Sequence, residues 1–366
     1  MKRFLAMIFI MILLISTSLA FKVTMVTDVG GLGDKSFNDG TWEGVLRAKD
    51  ELGVEIAVVQ SSEQTDYLPN LSNAARNSDV VIAVGFMMTD VLFNVAPQFP
   101  DVYFVGIDIE PSPGQVVPSN VVCYVFNEHE SSFPAGYLAA MMTKTGTVGF
   151  IGGVPVPAVT KFEAGFIAGV KTYNELHNTD VKVISGYANT FNDPALGKNL
   201  ALTQMDNGAD IVFHAAGPTG NGVIDAAKQR GSNLFQLPDN APLENIIDKY
   251  FELERGFFAI GVDVDQDYMA PGYVLTSSMK RVDTAAFEGI QNAMSVRTFQ
   301  SGVYRLGLKE NGVSISPMKY TRSMVPIRYF VEIEYLNKLI REGQLLIPTD
   351  PAKVGSFEIP DITFPY

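Results

Sequence analysis

Two α/β lobes, each built on a doubly wound parallel sheet and packed around a shared cleft, are the fold this sequence predicts. Short Val/Ile-rich runs alternate along the chain with segments whose apolar residues fall at helical spacing. The runs are almost continuously apolar, as strands buried on both faces must be. The alternation starts afresh after about residue 127, with no Ser/Gly-rich tether at the junction. A chain of 366 residues with 47% apolar content carries material for about two cores.

Each element has its own justification. Residues 21–27 read as the first strand, and residues 37–52 as a helix with Trp42, Val45, Leu46 and Lys49 at helical spacing. A strand over 54–60, a helix over 68–77 and a fully apolar strand over 80–84 follow. A helix over 91–99 is closed by Pro100, and strands occupy 102–107 and 121–126. The second series begins with a helix over 128–142 and a strand over 147–152. A helix over 162–175 places Phe162, Phe166 and Val170 on one face. Strands over 181–187, 211–215, 257–262 and 273–279 and helices over 194–207 and 221–230 complete it. The expected lobes are residues 21–126 plus about 278–301, and residues 127–277 plus about 302–366. Residues 303–366, with β-like runs and a Pro-spaced end, either cap one lobe or form a contact surface.

Before the first strand, Lys2 and Arg3 precede an apolar run over 4–15 and then small residues, with Ser18 and Ala20 at peptidase-read positions. That is the order of a cleavable signal peptide over residues 1–20, and the run is shorter than the roughly twenty residues a membrane span needs. The expectation is an exported protein, periplasmic or otherwise extracytoplasmic. No cysteine follows the apolar run, so a free rather than lipid-anchored protein is expected. The single cysteine, Cys123, lies inside an apolar strand and reads as a core residue; alone, it forms no intrachain disulfide. Formal net charge is −13, which disfavours nucleic acid and anionic membranes, both of which are bound through basic patches.

In open α/β sheets, ligands bind beyond the carboxyl ends of the strands. Asp28, Asp108, Phe191, Gly217 and Asp263 all stand at or just after strand ends, and Lys280 ends the 273–279 run. Three aspartates at comparable positions in two lobes would face one cleft. The richest segment is Asp28-Val-Gly-Gly-Leu-Gly-Asp-Lys-Ser-Phe-Asn38. Its glycines permit positive φ and close backbone approach. Ser36 with Asp39 three residues on reads as a helix N-cap with an acidic partner. A P-loop is excluded because Asp34 separates Gly33 from Lys35, and the dinucleotide fingerprint lacks its third glycine. An aromatic face, a carboxylate and an amide suit a neutral planar heterocycle, with Phe37 stacking on it and Asp28 and Asn38 bonding its edge.

At these residues the sequence resembles the basic membrane protein family of solute-binding proteins, in particular the purine nucleoside receptors of ABC transporters. The likeness rests on the 28–38 segment, Ala135-Gly-Tyr-Leu-Ala-Ala140, Gly152-Gly-Val-Pro-Val-Pro-Ala-Val159, Phe162-Glu-Ala-Gly-Phe-Ile-Ala-Gly-Val170, Gly261-Val-Asp-Val-Asp-Gln266 and Thr276-Ser-Ser-Met-Lys280. It implies a type I periplasmic-binding-protein fold with the ligand between the lobes. It also implies that Phe37 and Phe191 sandwich a purine, that Asp28 and Asn38 bond the base edge, and that Asp108, Asp263, Lys280 and the backbone at Gly217 hold the ribose. The segment around Phe191 only approximates the family pattern. The implied partners are a purine nucleoside and ABC permease subunits, with the receptor a monomer.

Two other readings use the same cleft. One is a nucleoside-cleaving hydrolase. The three histidines, His129, His177 and His214, show no pairing with a Ser or Cys nucleophile and no metal-binding spacing. Asp263-Val-Asp265-Gln-Asp267 lacks the glycine and terminal Glu of a calcium loop. No catalytic residue, metal or cofactor is therefore expected. The other reading is the same scaffold holding a flavin or free base; the ribose-holding set Asp108, Asp263 and Lys280 favours a nucleoside.

Overall fold

The computed structural model describes residues 21–364 except Val296; the expected signal peptide lies outside the described residues. The first lobe is built from β1 (Lys22–Val26), α1 (Phe37–Leu52), β2 (Glu55–Val59), α2 (Tyr67–Asn77), β3 (Val80–Val84), α3 (Thr89–Val95), β4 (Tyr103–Ile107) and β5 (Val121–Phe126). The chain then crosses to the second lobe. There it forms α4 (Glu128–Met142), β6 (Thr147–Gly152), α5 (Pro157–His177), β7 (Lys182–Tyr187), α6 (Pro194–Asp206) and β8 (Ile211–Ala215). The lobe continues with α7 (Pro218–Phe235), α8 (Leu243–Leu253), β9 (Phe258–Asp263) and β10 (Val274–Lys280). The last elements are α9 (Val282–Met294), β11 (Gly302–Leu306), β12 (Val313–Ile315) and α10 (Ile327–Arg341).

The two sheets repeat one topology. The first is ordered β11-β5-β4-β3-β1-β2 and the second β12-β10-β9-β8-β6-β7. Every neighbouring pair is parallel except β12, which runs antiparallel to β10. The twofold alternation of strand side chains explains why these strands are apolar throughout. In β3, Val80, Ile82 and Val84 join the core shared with α1 and α9, while Val81 and Ala83 join the core under α2 and α3. Cys123 is buried in that second core, and burial pushes its thiol up to about 12.

Six elements depart from the sequence expectation. Helix α5 begins at Pro157 rather than 162, because Pro at a first helical position loses no hydrogen bond and has the right φ. Helices α8, α9 and α10 were not read from the sequence. The returns between lobes also differ. β10 stays in the second sheet as far as Lys280, and β11 lies in the first sheet rather than the second. The α9 helix packs on α1 so closely that a Cβ at Gly44 would sit 2.1 Å from the Asp283 carbonyl oxygen.

The chain thus crosses three times: at Asn127, at Arg281 and between Leu306 and Val313. The crossings are hydrogen-bonded side by side. Asn127 N–H donates to the Leu306 carbonyl at 3.0 Å, and Arg281 N–H to the Gly312 carbonyl at 2.8 Å. Among the described residues, no helix is long and apolar enough to cross a membrane.

Candidate functional site in the interlobe cleft

The parallel strands bring their carboxyl ends to the line where the lobes meet. Asp28, Asp108, Asp263, Lys280, Phe37, Asn38, Phe191 and Gly217, all singled out in the sequence, line one pocket there. Phe37 stands on the first lobe and Phe191 on the second, and both are partly buried.

The loop from β1 to α1 is organised by Asp34. Its carboxylate accepts the backbone N–H groups of Ser36 (3.0 Å), Asn38 (2.7 Å) and Asp39 (3.0 Å). These are donors that a helix N-terminus leaves open. Ser36, expected to be the cap, makes no such bond. Its hydroxyl instead crosses the cleft and donates to Asp263 Oδ2 at 2.6 Å. Asp39 accepts from Gly33 and Lys35 N–H, tying down the glycine loop. Asn38 Nδ2 donates to Asp28 Oδ1 at 2.8 Å and to Asp34 Oδ2 at 3.1 Å. Asp28 Oδ1 also accepts Gly30 N–H at 2.8 Å.

The other end of the pocket is a buried charge cluster. Lys280 forms an ion pair and hydrogen bond with Asp108, and its Nζ lies 3.6 Å from Asp263 Oδ1 and 3.9 Å from Glu128 Oε1. The ammonium also sits 4.5 Å from the Phe37 ring centroid and 5.7 Å from those of Phe126 and Phe162. Asp108 and Asp263 occupy matching ends of β4 and β9, and both adopt left-handed backbone, with φ of 57° and 66°. Aspartate tolerates this conformation better than most residues. Further links join the lobes: Gln266 Nε2 donates to the Lys35 carbonyl at 3.0 Å, and Asn221 Nδ2 to that of Asp34 at 3.3 Å.

Burial sets the electrostatics. Burial alone would weaken the Lys280 ammonium, but the carboxylates of Asp108, Asp263 and Glu128 outweigh it and hold its pKa above the ordinary lysine value. Burial raises Asp28, against the hydrogen bonds from Asn38 and Gly30. It raises Asp263, against Lys280 and Ser36. Asp34 is pushed up to about 6 despite its three amide donors, and Glu128 to about 7 despite Lys161, 3.3 Å from its Oε2.

The Phe191 ring is fixed by its neighbours. A Cβ at Gly153 would lie 2.3 Å from it, and the Phe191 carbonyl accepts Thr219 N–H at 3.0 Å. His214, in β8, is fully buried and held neutral, its pKa pushed down to about 3 by burial; the same cause takes His129 to about 3. His177 bonds Tyr137 and Glu332, joining α5 to α4 and α10. Asp267 accepts from the Ser316 hydroxyl and Lys319 N–H, fastening the chain after β12.

A family model described as ABC transporter substrate-binding protein, PnrA-like (Bmp), matches residues 21–346. The chain belongs to this family. Basic membrane protein A1 of Borrelia garinii is 31% identical over 338 residues, covering 92% of this chain and 90% of that one. An uncharacterized lipoprotein of Pyrococcus horikoshii is 34% identical over 300 residues, covering 80% and 68%. Among solved structures, an ABC transporter solute-binding protein from Aeropyrum pernix superposes with a TM-score of 0.77 at 27% identity, covering 92% of this chain and 96% of that one. The fold is the type I periplasmic-binding-protein fold, and this Bmp-family chain is a substrate-binding component of ABC transport.

In this Bmp-family protein, sequence reasoning passed over Glu128, Asp34 and Phe162 as site residues. Glu128 was findable: it begins α4 two residues past the end of β5, close to the strand-end position that pointed to Asp108. Phe162 was read as helix core, and its ring faces the Lys280 ammonium as well.

Proposed function

We propose that this protein captures a purine nucleoside outside the cytoplasm and delivers it to the permease of an ABC transporter. The observation that carries the reading is the division of the cleft into three parts. Asp28 and Asn38 supply polar atoms at one end. Phe37 and Phe191 offer aromatic faces from opposite lobes. Lys280, Asp108 and Asp263 form a charged end beside Phe37. A planar base bearing a ribose has matching parts. Ring faces favour a stacked base, worth about 1–3 kcal/mol per base in nucleic-acid binders. Ribose hydroxyls both donate and accept, which an Asp–Lys cluster can satisfy through charge-assisted bonds. Asp108 Oδ1 is buried and carries no hydrogen bond among the described residues, so it is available to a hydroxyl. A 5′-phosphate would meet an excess of carboxylates.

Titration calorimetry with nucleosides, free bases, ribose and riboflavin tests the reading, together with mass spectrometry of compounds extracted from the purified protein. Nucleoside binding with the ligand recovered intact is expected. Preference for riboflavin or a free base, or recovery of cleaved base and ribose, would overturn it.

A further inference from the structure

The base end of the cleft carries information that the family likeness does not, through the direction of its hydrogen bonds. Asn38 is 1% exposed, and its Nδ2 is engaged with two carboxylates, Asp28 and Asp34. That fixes the amide orientation. Turned over, Oδ1 would face both carboxylates at hydrogen-bond distance and gain no donor. Oδ1 is thus held away from them, buried and without a hydrogen-bond partner among the described residues. Asp28 Oδ1 already accepts two N–H groups. Its Oδ2 accepts none among the described residues and lies beside Gly85, where a Cβ would come within 3.3 Å of it. Of the side chains lining the pocket, Lys280 is the other one with amine or amide hydrogens, and it is committed to the carboxylates of Asp108, Asp263 and Glu128.

We infer that the base end accepts hydrogen bonds and donates none from its side chains, and so selects guanosine over adenosine. This rests on the nucleoside reading above. Guanine presents two adjacent donors, N1–H and the 2-amino group, which suit Asp28 Oδ2 and Asn38 Oδ1. Adenine presents one amino group next to the N1 lone pair, which would face an acceptor. A buried acceptor set against another acceptor loses its hydrogen bond and suffers repulsion. Hypoxanthine, with N1–H and no 2-amino group, falls between. The pattern also disfavours xanthosine, which carries a carbonyl where guanosine carries its 2-amino group.

The test is calorimetry on the full-length mature protein at mildly alkaline pH with guanosine, inosine, adenosine and 1-methylguanosine. Guanosine is expected to bind tightest, with adenosine weaker by about tenfold to a hundredfold, the discrimination typical of a matched edge. Inosine should lie between, and 1-methylguanosine should lose most of the guanosine advantage. Asp28→Asn keeps an oxygen for Gly30 and Asn38 and places an NH2 where Oδ2 was. It should narrow or reverse the guanosine preference. Adenosine binding as tightly as guanosine, 1-methylguanosine matching guanosine, or an Asp28→Asn ratio equal to wild type would overturn the inference while leaving nucleoside capture intact. Absence of any nucleoside binding would overturn both. If Asp28→Asn fails to give a cooperative thermal melt, the wild-type ratios decide.

Discussion

Lys280, at the end of β10 in the second lobe, is ion-paired with Asp108, which follows β4 in the first. The contact is buried and has Asp263 and Glu128 within 4 Å of the same ammonium. One positive charge therefore holds three carboxylates from both lobes at their meeting line.

Lys280→Met tests this. Removing the cation leaves buried carboxylates unpaired, a loss of about 3–5 kcal/mol in comparable buried pairs. Urea unfolding followed by circular dichroism should show a clearly lowered midpoint. A midpoint equal to wild type would mean that the cluster contributes nothing to holding the lobes.

Phe37→Ala should separate binding from folding. The ring is only partly buried, so stability should fall by less than the roughly 3–5 kcal/mol of a fully buried Phe→Ala change. Nucleoside affinity should fall by about 2 kcal/mol through lost stacking. Calorimetry giving wild-type affinity would remove Phe37 from the site.

Gly153→Ala acts on Phe191 indirectly. The added Cβ would stand 2.3 Å from the ring, which must move away. If Phe191 stacks on the ligand, Gly153→Ala and Phe191→Ala should weaken binding to a similar extent. Retained affinity in Gly153→Ala beside a large loss in Phe191→Ala would show that the ring's place is not set by Gly153.

The buried Glu128 carboxyl gives a pH signature. Burial pushes it up to about 7 from the usual 4.5, so as pH falls the native state takes up a proton before the unfolded state does. Its ionisation therefore opposes folding above about 7, and that penalty disappears as pH falls toward 4.5. Glu128→Gln removes the titration. The stability of wild type relative to Glu128→Gln should rise as pH falls across this window, by up to about 3 kcal/mol. A constant difference between the two proteins would show that Glu128 does not titrate there.

Much of this was legible in the sequence, because strands buried on both faces need near-continuous apolar runs and ligands gather at strand ends. The six residues chosen at strand ends line the pocket, as do Phe37 and Asn38, chosen for the chemistry of the loop after β1. What escaped depended on partners distant in the chain. Ser36 has the chemistry of a cap, but Asp34 reaches three amides first, and the Ser36 hydroxyl finds Asp263, 227 residues away. β11 has a strand's composition in either sheet, and only its parallel pairing with β5 places it in the first. Helix α5 begins in a Pro-Val-Pro stretch that looks like loop until the helix geometry shows Pro157 in its first turn.

The three crossings at Asn127, Arg281 and residues 307–312, bonded to one another, have a mechanical consequence. Bodies joined by three short adjacent straps cannot slide apart or turn end over end; the freedom left to them is a jaw-like swing about the strap line. Such a swing draws Phe37 away from Phe191, Ser36 from Asp263 and Asp108 from Lys280 in a single stroke. The straps thus couple these three places, so that the contacts across the cleft part together rather than one by one.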